Sequence, residues 1–257
     1  MDLADLERKR TCQNKIAINE IRNIMQRHAK IYPDLTFHVT SDLNWLRYIT
    51  QVEYLETTIP PQSDVLDLGC GLGHTTALLA SFREDIKILG ADMSEHITWK
   101  DLRRFGGKFC ICDATALPFS SESFDVIVSF GVMEHANSDV AFLKEIHRCL
   151  RSGGYNIIFQ LPNKYSLSEY LSKKMGLWHH GRTYSMHDIK NLINICGFEI
   201  DHLSMEHVIP AQVNRISHTL ESIFDKNHKR IYKLDKLLCK TPLSLISQDF
   251  MIVSRKT

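Results

Sequence analysis

A glycine-rich loop between an apolar run and a helix-like run constrains the fold of this chain more than any other feature. The loop reads Asp67-Leu-Gly-Cys-Gly-Leu-Gly-His-Thr75 and follows the apolar pair Val65-Leu66. A strand that ends in a glycine loop opening onto a helix is how open α/β sheets receive a nucleoside-containing cofactor. Because glycine has no Cβ, Gly69, Gly71 and Gly73 allow close approach of a ligand to the backbone.

The spacing of these glycines argues against a dinucleotide. The loop has G-x-G-x-G preceded by an acid, whereas the dinucleotide fingerprint is G-x-G-x-x-G with the pyrophosphate at the helix N-terminus. An acid two residues before the first glycine suits a cofactor that carries a cationic amino group. A dinucleotide oxidoreductase is therefore disfavoured.

Strand-like and helix-like segments alternate along the middle of the chain. Strands are predicted near residues 64–68, 87–91, 108–112, 124–130 and 155–160, and helices near 75–82, 95–104 and 139–150. Ser138 is expected to cap the last of these helices and Gly153-Gly154 to close its end. The alternation predicts a doubly wound, mostly parallel α/β sheet with helices on both faces.

The two ends of the chain predict helical additions to this sheet. Residues 1–60 are expected to form an N-terminal helical cap, and residues 61–257 the sheet domain, with a helix over 185–197 and strands over 198–208 and 249–254. A helical insert at about 211–240 carries seven Lys or Arg and three Asp or Glu. It is interpreted as a lid with a solvated basic face; the alternative is weak contact with an anionic substrate or a lipid surface.

Composition excludes several classes of protein. The 257 residues are 44% hydrophobic and 24% charged, with a formal charge of +1, which gives no general attraction to nucleic acid. No run reaches the roughly 18 apolar residues of a membrane span, and the N-terminus lacks the apolar core of a secretory signal, so a cytoplasmic protein is expected. The seven scattered cysteines indicate reduced thiols, and the spacing of cysteines and histidines predicts no metal site.

The chain resembles the class I S-adenosylmethionine-dependent methyltransferases, in particular the small-molecule branch called methyltransferase type 11. Besides the glycine loop, the resemblance rests on Ile88-Leu-Gly-Ala-Asp-Met-Ser94, Cys112-Asp-Ala114 with Leu117-Pro-Phe119, Phe124-Asp-Val-Ile-Val-Ser-Phe-Gly-Val-Met-Glu-His135 and Leu143-Lys-Glu-Ile-His-Arg-Cys-Leu-Arg-Ser-Gly-Gly154. These motifs stand in the family's order over roughly residues 60 to 165. The resemblance implies a seven-stranded Rossmann-like sheet whose last strand is antiparallel.

The resemblance also implies a binding site for S-adenosylmethionine as the cofactor. Asp67 is assigned to the amino end of the methionine moiety, Asp92 to the ribose hydroxyls and Asp113 to the adenine amino group. The implied cofactor-binding residues are Asp67, Gly69, Cys70, Gly71, Gly73, Asp92, Met93, Asp113, Ala114, Phe130 and Gly131.

His135, directly after the fourth strand, is the candidate general base, because neutral imidazole can take a proton from a hydroxyl near neutral pH. The alternative is that it only shapes the pocket. Candidate substrate-facing residues are aromatic, acidic or imidazole side chains near the presumed cleft: Trp45, Tyr48, Glu134, Tyr165, His179, His180 and Tyr184.

The predicted function is methyl transfer to a small-molecule acceptor, with a hydroxyl of a sugar or secondary metabolite as the first choice. Alternatives are C- or N-methylation of a quinone-like or amine molecule, and a non-catalytic protein that only binds the cofactor. The segment Ser129-Phe-Gly-Val132 departs from the N/D-P-P-Y/F signature of enzymes that methylate nucleic-acid bases. The sequence leaves the oligomeric state open.

Overall fold

A seven-stranded sheet forms the centre of the structure, a computed structural model that describes residues 3–31, 41–177, 179–210 and 218–257. The strands are β1 (Asp64–Leu68), β2 (Lys87–Asp92), β3 (Lys108–Ile111), β4 (Phe124–Phe130), β5 (Leu150–Pro162), β6 (Phe198–Glu206) and β7 (Asp249–Lys256). Their order in the sheet is β3-β2-β1-β4-β5-β7-β6.

Helices cover both faces of this sheet. The α-helices are α1 (Leu3–Ala29), α2 (Asp42–Thr58), α3 (His74–Phe82), α4 (Trp99–Leu102), α5 (Asp139–Cys149), α6 (Leu167–Lys174), α7 (Met186–Ile195) and α8 (His218–Leu238). Short 3-10 turns cover Arg103–Phe105, Met133–His135 and Pro242–Ile246.

The strand pairing creates a crevice at the carboxyl end of β1. This strand pairs in parallel with β2 on one side and β4 on the other, so the chain order reverses beside it. Ligands of open α/β sheets bind at such a reversal. The last strand, β7, is antiparallel to both β5 and β6. The predicted fold class, including the antiparallel seventh strand, is confirmed.

Two hydrophobic cores lie on opposite faces of the sheet. Consecutive strand residues point to opposite faces, so Val65 joins the core beneath α1 to α4 while Leu66 joins the core beneath α5 and α7. This is why the central strands are almost continuously apolar. The helices of the predicted cap, residues 1–60, share the first core with the sheet. The boundary at residue 60 stays a prediction.

The chain departs from the sequence prediction after the fourth strand. Helix α5 begins after Ser138, whose Oγ accepts from the amide of Ala141 at 3.2 Å, as predicted, but it ends at Cys149. Gly153-Gly154 therefore does not close the helix and lies inside β5, where Gly153 has φ +75° and the pairing with β4 shifts register. Helix α6 was not predicted.

Helix α8 occupies most of the predicted insert and packs on α2. Asp235 of α8 and Arg47 of α2 form an ion pair of 3.0 Å, and both side chains are buried. Asp235 Oδ1 also accepts from the amide of Ile209 at 2.7 Å, and Arg47 donates to the Ile209 carbonyl at 2.6 Å. The buried pair thus joins α8, α2 and the segment after β6. Residues 211–217 of the predicted insert lie outside the described residues.

Among the residues that the structure describes, no helix is both long and apolar enough to cross a bilayer. Asp235 is buried, and Asp225 accepts a hydrogen bond from the amide of Asp42 at 3.0 Å, so both acids face α2. The exposed side of α8 is therefore rich in Lys and Arg: Lys226, Lys229, Arg230 and Lys233. Contact of this side with an anionic substrate or a lipid surface stays a prediction.

Replacement of Asp235 by Ala should destabilise the protein by about 3–5 kcal/mol, because Arg47 would be left as a buried charge without its partner. The free energy of unfolding in urea measures this effect. The matched control is Glu199→Ala, which breaks the exposed pair with Arg255 and should cost about 1 kcal/mol or less. Equal losses for the two variants would contradict a structural role of the buried pair.

Candidate functional site

Two adjoining cavities lie at the carboxyl edge of the sheet. The first, here called the sheet-edge cavity, has a volume of about 220 Å³ and lies at the ends of β1 to β4. The second, here called the cap cavity, has a volume of about 320 Å³ and lies between the sheet, α2 and α6. Gly131 and His135 line both cavities.

The glycine loop lies against the turn that follows β4. Gly69 has φ +72°, and the amides of Gly69 and Cys70 both donate to the Ala91 carbonyl, at 2.7 and 3.0 Å. A Cβ at Gly69 would come within 2.3 Å of Val132 Cγ2. Only glycine therefore fits at this position, where the loop and the β4 turn together form a wall of the sheet-edge cavity.

Gly73 has a packing role. It begins α3 with φ +78°, and a Cβ there would lie 2.6 Å from the Phe109 ring. Gly71 carries no such restriction from neighbours, since nothing lies within 4 Å of its ideal Cβ. Its amide donates to Asp92 Oδ2 at 2.8 Å, and its carbonyl accepts from Trp99 Nε1 at 2.8 Å. The loop is thus anchored to the end of β2.

Asp92 lies at the end of β2 with its carboxylate at the sheet-edge cavity. Burial raises the pKa of Asp92, but the His96 imidazole 3.6 Å away and hydrogen bonds from the amides of Gly71 and Ser94 outweigh this, so the pKa lies below its usual value. The side chain is therefore ionised near neutral pH. An ionised carboxylate can accept hydrogen bonds from the two hydroxyls of a ribose.

Asp67 is buried beneath the loop. Its Oδ2 accepts from Thr76 Oγ1 at 2.5 Å, and its Oδ1 has no hydrogen-bond partner among the described residues. Burial raises the pKa of Asp67 to about 7, with the Thr76 bond opposing the shift. A buried carboxylate oxygen without a partner fits the amino group of a methionine moiety, which would supply the missing charge and donor.

The far end of the sheet-edge cavity holds an exposed methionine and a second carboxylate. Met93 is 69% exposed, although it is a large apolar side chain. Asp113 accepts from the amide and the hydroxyl of Thr115, each at 2.7 Å, which lowers its pKa. An apolar surface beside an acceptor suits a purine ring that carries an amino group.

Of the predicted cofactor residues, those that line the sheet-edge cavity are Gly69, Asp92, Met93, Asp113, Ala114 and Gly131. Phe130 lines the cap cavity instead. The remainder do not line it: Asp67, Cys70, Gly71 and Gly73. Cys70 is buried, and its assignment to the cofactor site stays a prediction.

The junction of the two cavities is formed by the 3-10 turn after β4. The His135 side chain is 57% exposed there, and burial, with smaller contributions from His180 and Arg182, lowers its pKa. Its imidazole is thus neutral near pH 7. Next to it, the Glu134 side chain is 1% exposed. Burial raises the pKa of Glu134 to about 7.

Polar side chains from distant segments line the cap cavity. Gln160 has φ +59° at an irregularity of β5, and its side chain lies 3.4 Å from the Tyr48 hydroxyl. Burial raises the pKa of Tyr48 to about 12, so the phenol stays protonated. His207, with φ +62°, pairs with Asp249 at 3.1 Å. Such unusual backbone angles in non-glycine residues are typical of functional sites.

Among the predicted substrate residues, Tyr48, Glu134 and His180 line the cap cavity. The other four do not line it. Trp45 belongs to the first core and lies beneath the Arg22 guanidinium, and Tyr184 belongs to the second core. Tyr165 is exposed away from the cavity lining, and exposed His179 bonds its Nδ1 to the Leu177 carbonyl at 3.1 Å. Helical periodicity alone could not show which face of α2 meets the cavity.

Sequence reasoning missed nine polar residues of the cap cavity: Asn44, Arg47, Gln160, Ser168, Glu169, Ser172, His207, Gln248 and Asp249. One signal was available for Glu169, because Ser166-x-x-Glu169 is the pattern of a helix N-terminus. Ser166 does cap α6, but Glu169 binds His180 instead of the cap amide.

An open sheet with a crevice at its strand reversal, closed by a glycine loop and edged by carboxylates, defines a doubly wound α/β domain for a nucleoside cofactor. Residues 66–158 match the family model described as a methyltransferase domain. This matched region is a methyltransferase domain similar to the class I S-adenosylmethionine-dependent methyltransferases, whose methyl donor is S-adenosylmethionine.

The alignments of this chain with curated relatives cover only part of each relative's length. The tRNA (carboxymethyluridine(34)-5-O)-methyltransferase of Mus musculus is 32% identical over 149 residues, which cover 54% of this chain and 21% of the mouse protein. A ubiquinone/menaquinone biosynthesis C-methyltransferase of Desulfotalea psychrophila is 27% identical over 116 residues, which cover 44% of this chain and 46% of that protein. The chain thus spans less than half the length of these two relatives.

Solved structures share the fold over most of the chain. An S-adenosylmethionine-dependent methyltransferase from Thermotoga maritima has a TM-score of 0.58 at 18% identity, covering 92% of this chain and 99% of its own. The cyclase SpnF has a TM-score of 0.58 at 17% identity, covering 80% of each chain. At such identities the similarity shows the fold alone, and the fold hosts more than one reaction.

We propose that Asp67 pairs with the cationic amino group of the ligand. The affinity for S-adenosylhomocysteine should then fall as the pH drops below about 7, because protonated Asp67 must lose its proton before it can form this pair. Calorimetric titration over this range measures the effect. The Asp67→Asn variant should bind the ligand more weakly, and its affinity should no longer fall as the pH drops below about 7. If the fall persists in this variant, a group other than Asp67 causes it.

Proposed function

We propose that this chain transfers the methyl group of S-adenosylmethionine to an oxygen of a small polar acceptor that binds in the cap cavity. The observation that carries this proposal is the meeting of the two cavities at Gly131 and His135. A nucleoside in the sheet-edge cavity and an acceptor in the cap cavity would meet at this junction. Such an arrangement holds the two reactants in line, which is the main requirement of a methyl transfer.

The bound cofactor supplies a methyl carbon on a sulfonium, whose leaving group is a neutral thioether and needs no acid. The protein's task is therefore to orient, to exclude water and to accept one proton. Asp67 would hold the amino end, Asp92 the ribose hydroxyls, and Met93 with Asp113 the adenine.

His135 is the group best placed to take the acceptor's proton, since its exposed, neutral imidazole lies at the junction. The acceptor oxygen would then form the bond to the methyl carbon as the carbon–sulfur bond breaks, and the electron pair of that bond would stay on sulfur. The proton would reside on His135 until solvent removes it.

The character of the acceptor is inferred from the cap cavity. Its polar lining, including Asn44, Gln160 and Gln248, favours a molecule with several hydrogen-bonding groups, such as a sugar or a hydroxylated secondary metabolite. The relatives' names include acceptors on carbon, on nitrogen and on oxygen, so they do not select one. A carbon or nitrogen nucleophile in the same cavity is the alternative within this proposal.

The first test is transfer of labelled methyl groups to the small-molecule fraction of a cell extract. Asp92→Ala should reduce affinity for S-adenosylhomocysteine at least tenfold, because it removes two charge-assisted hydrogen bonds worth about 1.5–3 kcal/mol each. Glu95→Ala, an exposed acid three residues away, is the matched control and should bind normally. Cofactor binding without methyl incorporation into any fraction would favour a protein that only binds the cofactor.

Replacement of His135 by Ala should lower turnover by about 10²–10⁴-fold if this imidazole takes the proton. Affinity for S-adenosylhomocysteine should stay unchanged, because the assigned cofactor contacts lie on other residues. A fully active variant would reduce His135 to a pocket-shaping residue.

A further inference from the structure

We infer that Glu134, His135 and His180 form a binding site for a divalent transition-metal cation at the junction of the two cavities. The inference rests on the proposed function, because it assigns the group that would hold the acceptor oxygen. The three side chains come from the turn after β4 and from the loop after α6, and one ligand atom of each lies within 4.8 Å of the others. Sequence spacing predicted no metal site, since His180 is distant in sequence from the other two.

Glu134 supplies the strongest reason to expect a cation. Its side chain is 1% exposed, and neither carboxylate oxygen has a hydrogen-bond partner among the described residues. Its Oε1 lies 3.8 Å from His135 Nε2 and 3.9 Å from His180 Nε2. A buried carboxylate without a donor is costly, and a cation between it and the two imidazole nitrogens would supply the missing partner of the carboxylate.

His180 is prepared to act as a ligand. Its Nδ1 lies 2.8 Å from Glu169 Oε1, and its backbone amide donates to Glu169 Oε2 at 2.9 Å. A carboxylate at Nδ1 holds the proton on that nitrogen and leaves the Nε2 lone pair directed toward Glu134. Metal-binding histidines typically have such a carboxylate behind them, which fixes the ring and raises its basicity.

The ligand set indicates the kind of cation. Two imidazoles and one carboxylate are typical of zinc and of neighbouring transition metals, whereas magnesium and calcium prefer oxygen ligands alone. Ligand atoms of a tetrahedral site lie roughly 3.3–3.6 Å apart at bond lengths of about 2.0–2.2 Å. The cluster is somewhat wider, so binding of a cation would draw the three side chains closer together.

A fourth position on the cation would face the junction, where an acceptor hydroxyl can bind. A cation-bound hydroxyl loses its proton to solvent more readily, and its oxygen would then form the bond to the methyl carbon as the carbon–sulfur bond breaks. His135 then serves as a ligand and not as a base, because its Nε2 cannot bind a cation and accept a proton together. The products are the methylated acceptor, S-adenosylhomocysteine and one proton in solution.

Direct binding tests this inference without reference to turnover. Tag-free protein, dialysed against a chelator, is titrated with Co²⁺ while its visible absorption is recorded, and with Zn²⁺ by calorimetry. We expect one high-affinity equivalent of each cation per chain and much weaker binding of Mg²⁺. Glu134→Gln, His135→Ala and His180→Ala should each weaken Zn²⁺ binding at least tenfold, and Glu169→Gln by about 10–100-fold. The matched control, His179→Ala, should bind Zn²⁺ like the unsubstituted protein.

Binding of S-adenosylhomocysteine is measured for every variant and serves as the test of folding. The inference is overturned if folded protein binds no Zn²⁺ or Co²⁺, or if the three substitutions leave the affinity unchanged. Methyl transfer that persists in excess chelator would also overturn it while leaving the proposed function intact. If methyl transfer is absent with and without added Zn²⁺, the proposed function fails, whatever the result of the titrations.

Discussion

The close contact between the Gly69 backbone and the Val132 side chain is the constraint on which the site depends. It exists because β1 and β4 are parallel neighbours whose carboxyl ends meet at one edge, and because a residue with a Cβ would come within 2.3 Å of Val132. The contact positions the glycine loop and the turn that carries Glu134 and His135 relative to each other. This one contact therefore positions both the wall of the sheet-edge cavity and the junction with the cap cavity.

The cap cavity depends on a different kind of interaction. Its polar lining is held by pairs that are far apart in the chain, such as Arg47 with Asp235 and His207 with Asp249. A buried ion pair contributes little net stability compared with a hydrophobic contact, but breaking it is costly. The arrangement therefore favours one relative position of α2, α8 and the β6–β7 edge, and a fixed position is what a selective acceptor pocket requires.

The sequence was sufficient to predict the sheet and the cofactor side of the site, because the signals are local. Asp92 is the last residue of one apolar strand, and Gly69 directly follows another, so their placement needs only the rule that parallel strand ends share one edge. The sequence is less informative where the answer depends on distant partners. Nothing near Trp45 shows that it enters the core while Tyr48 meets the cavity, and nothing near Gly153 shows that β5 begins immediately after Cys149.

The Glu169 carboxylate links helix α6 to the loop that carries His180. Residues at this position of a helix often bond back to the cap amide, but Glu169 instead holds His180 of the following loop. Helix α6, whose Ser168 and Leu171 line the cap cavity, is thus linked to an imidazole that also lines this cavity. A cation bound by His180 would therefore act on the α6 side of the cap cavity as well. Binding of the acceptor in the cap cavity and the chemistry at the junction would then both depend on the position of the His180 ring.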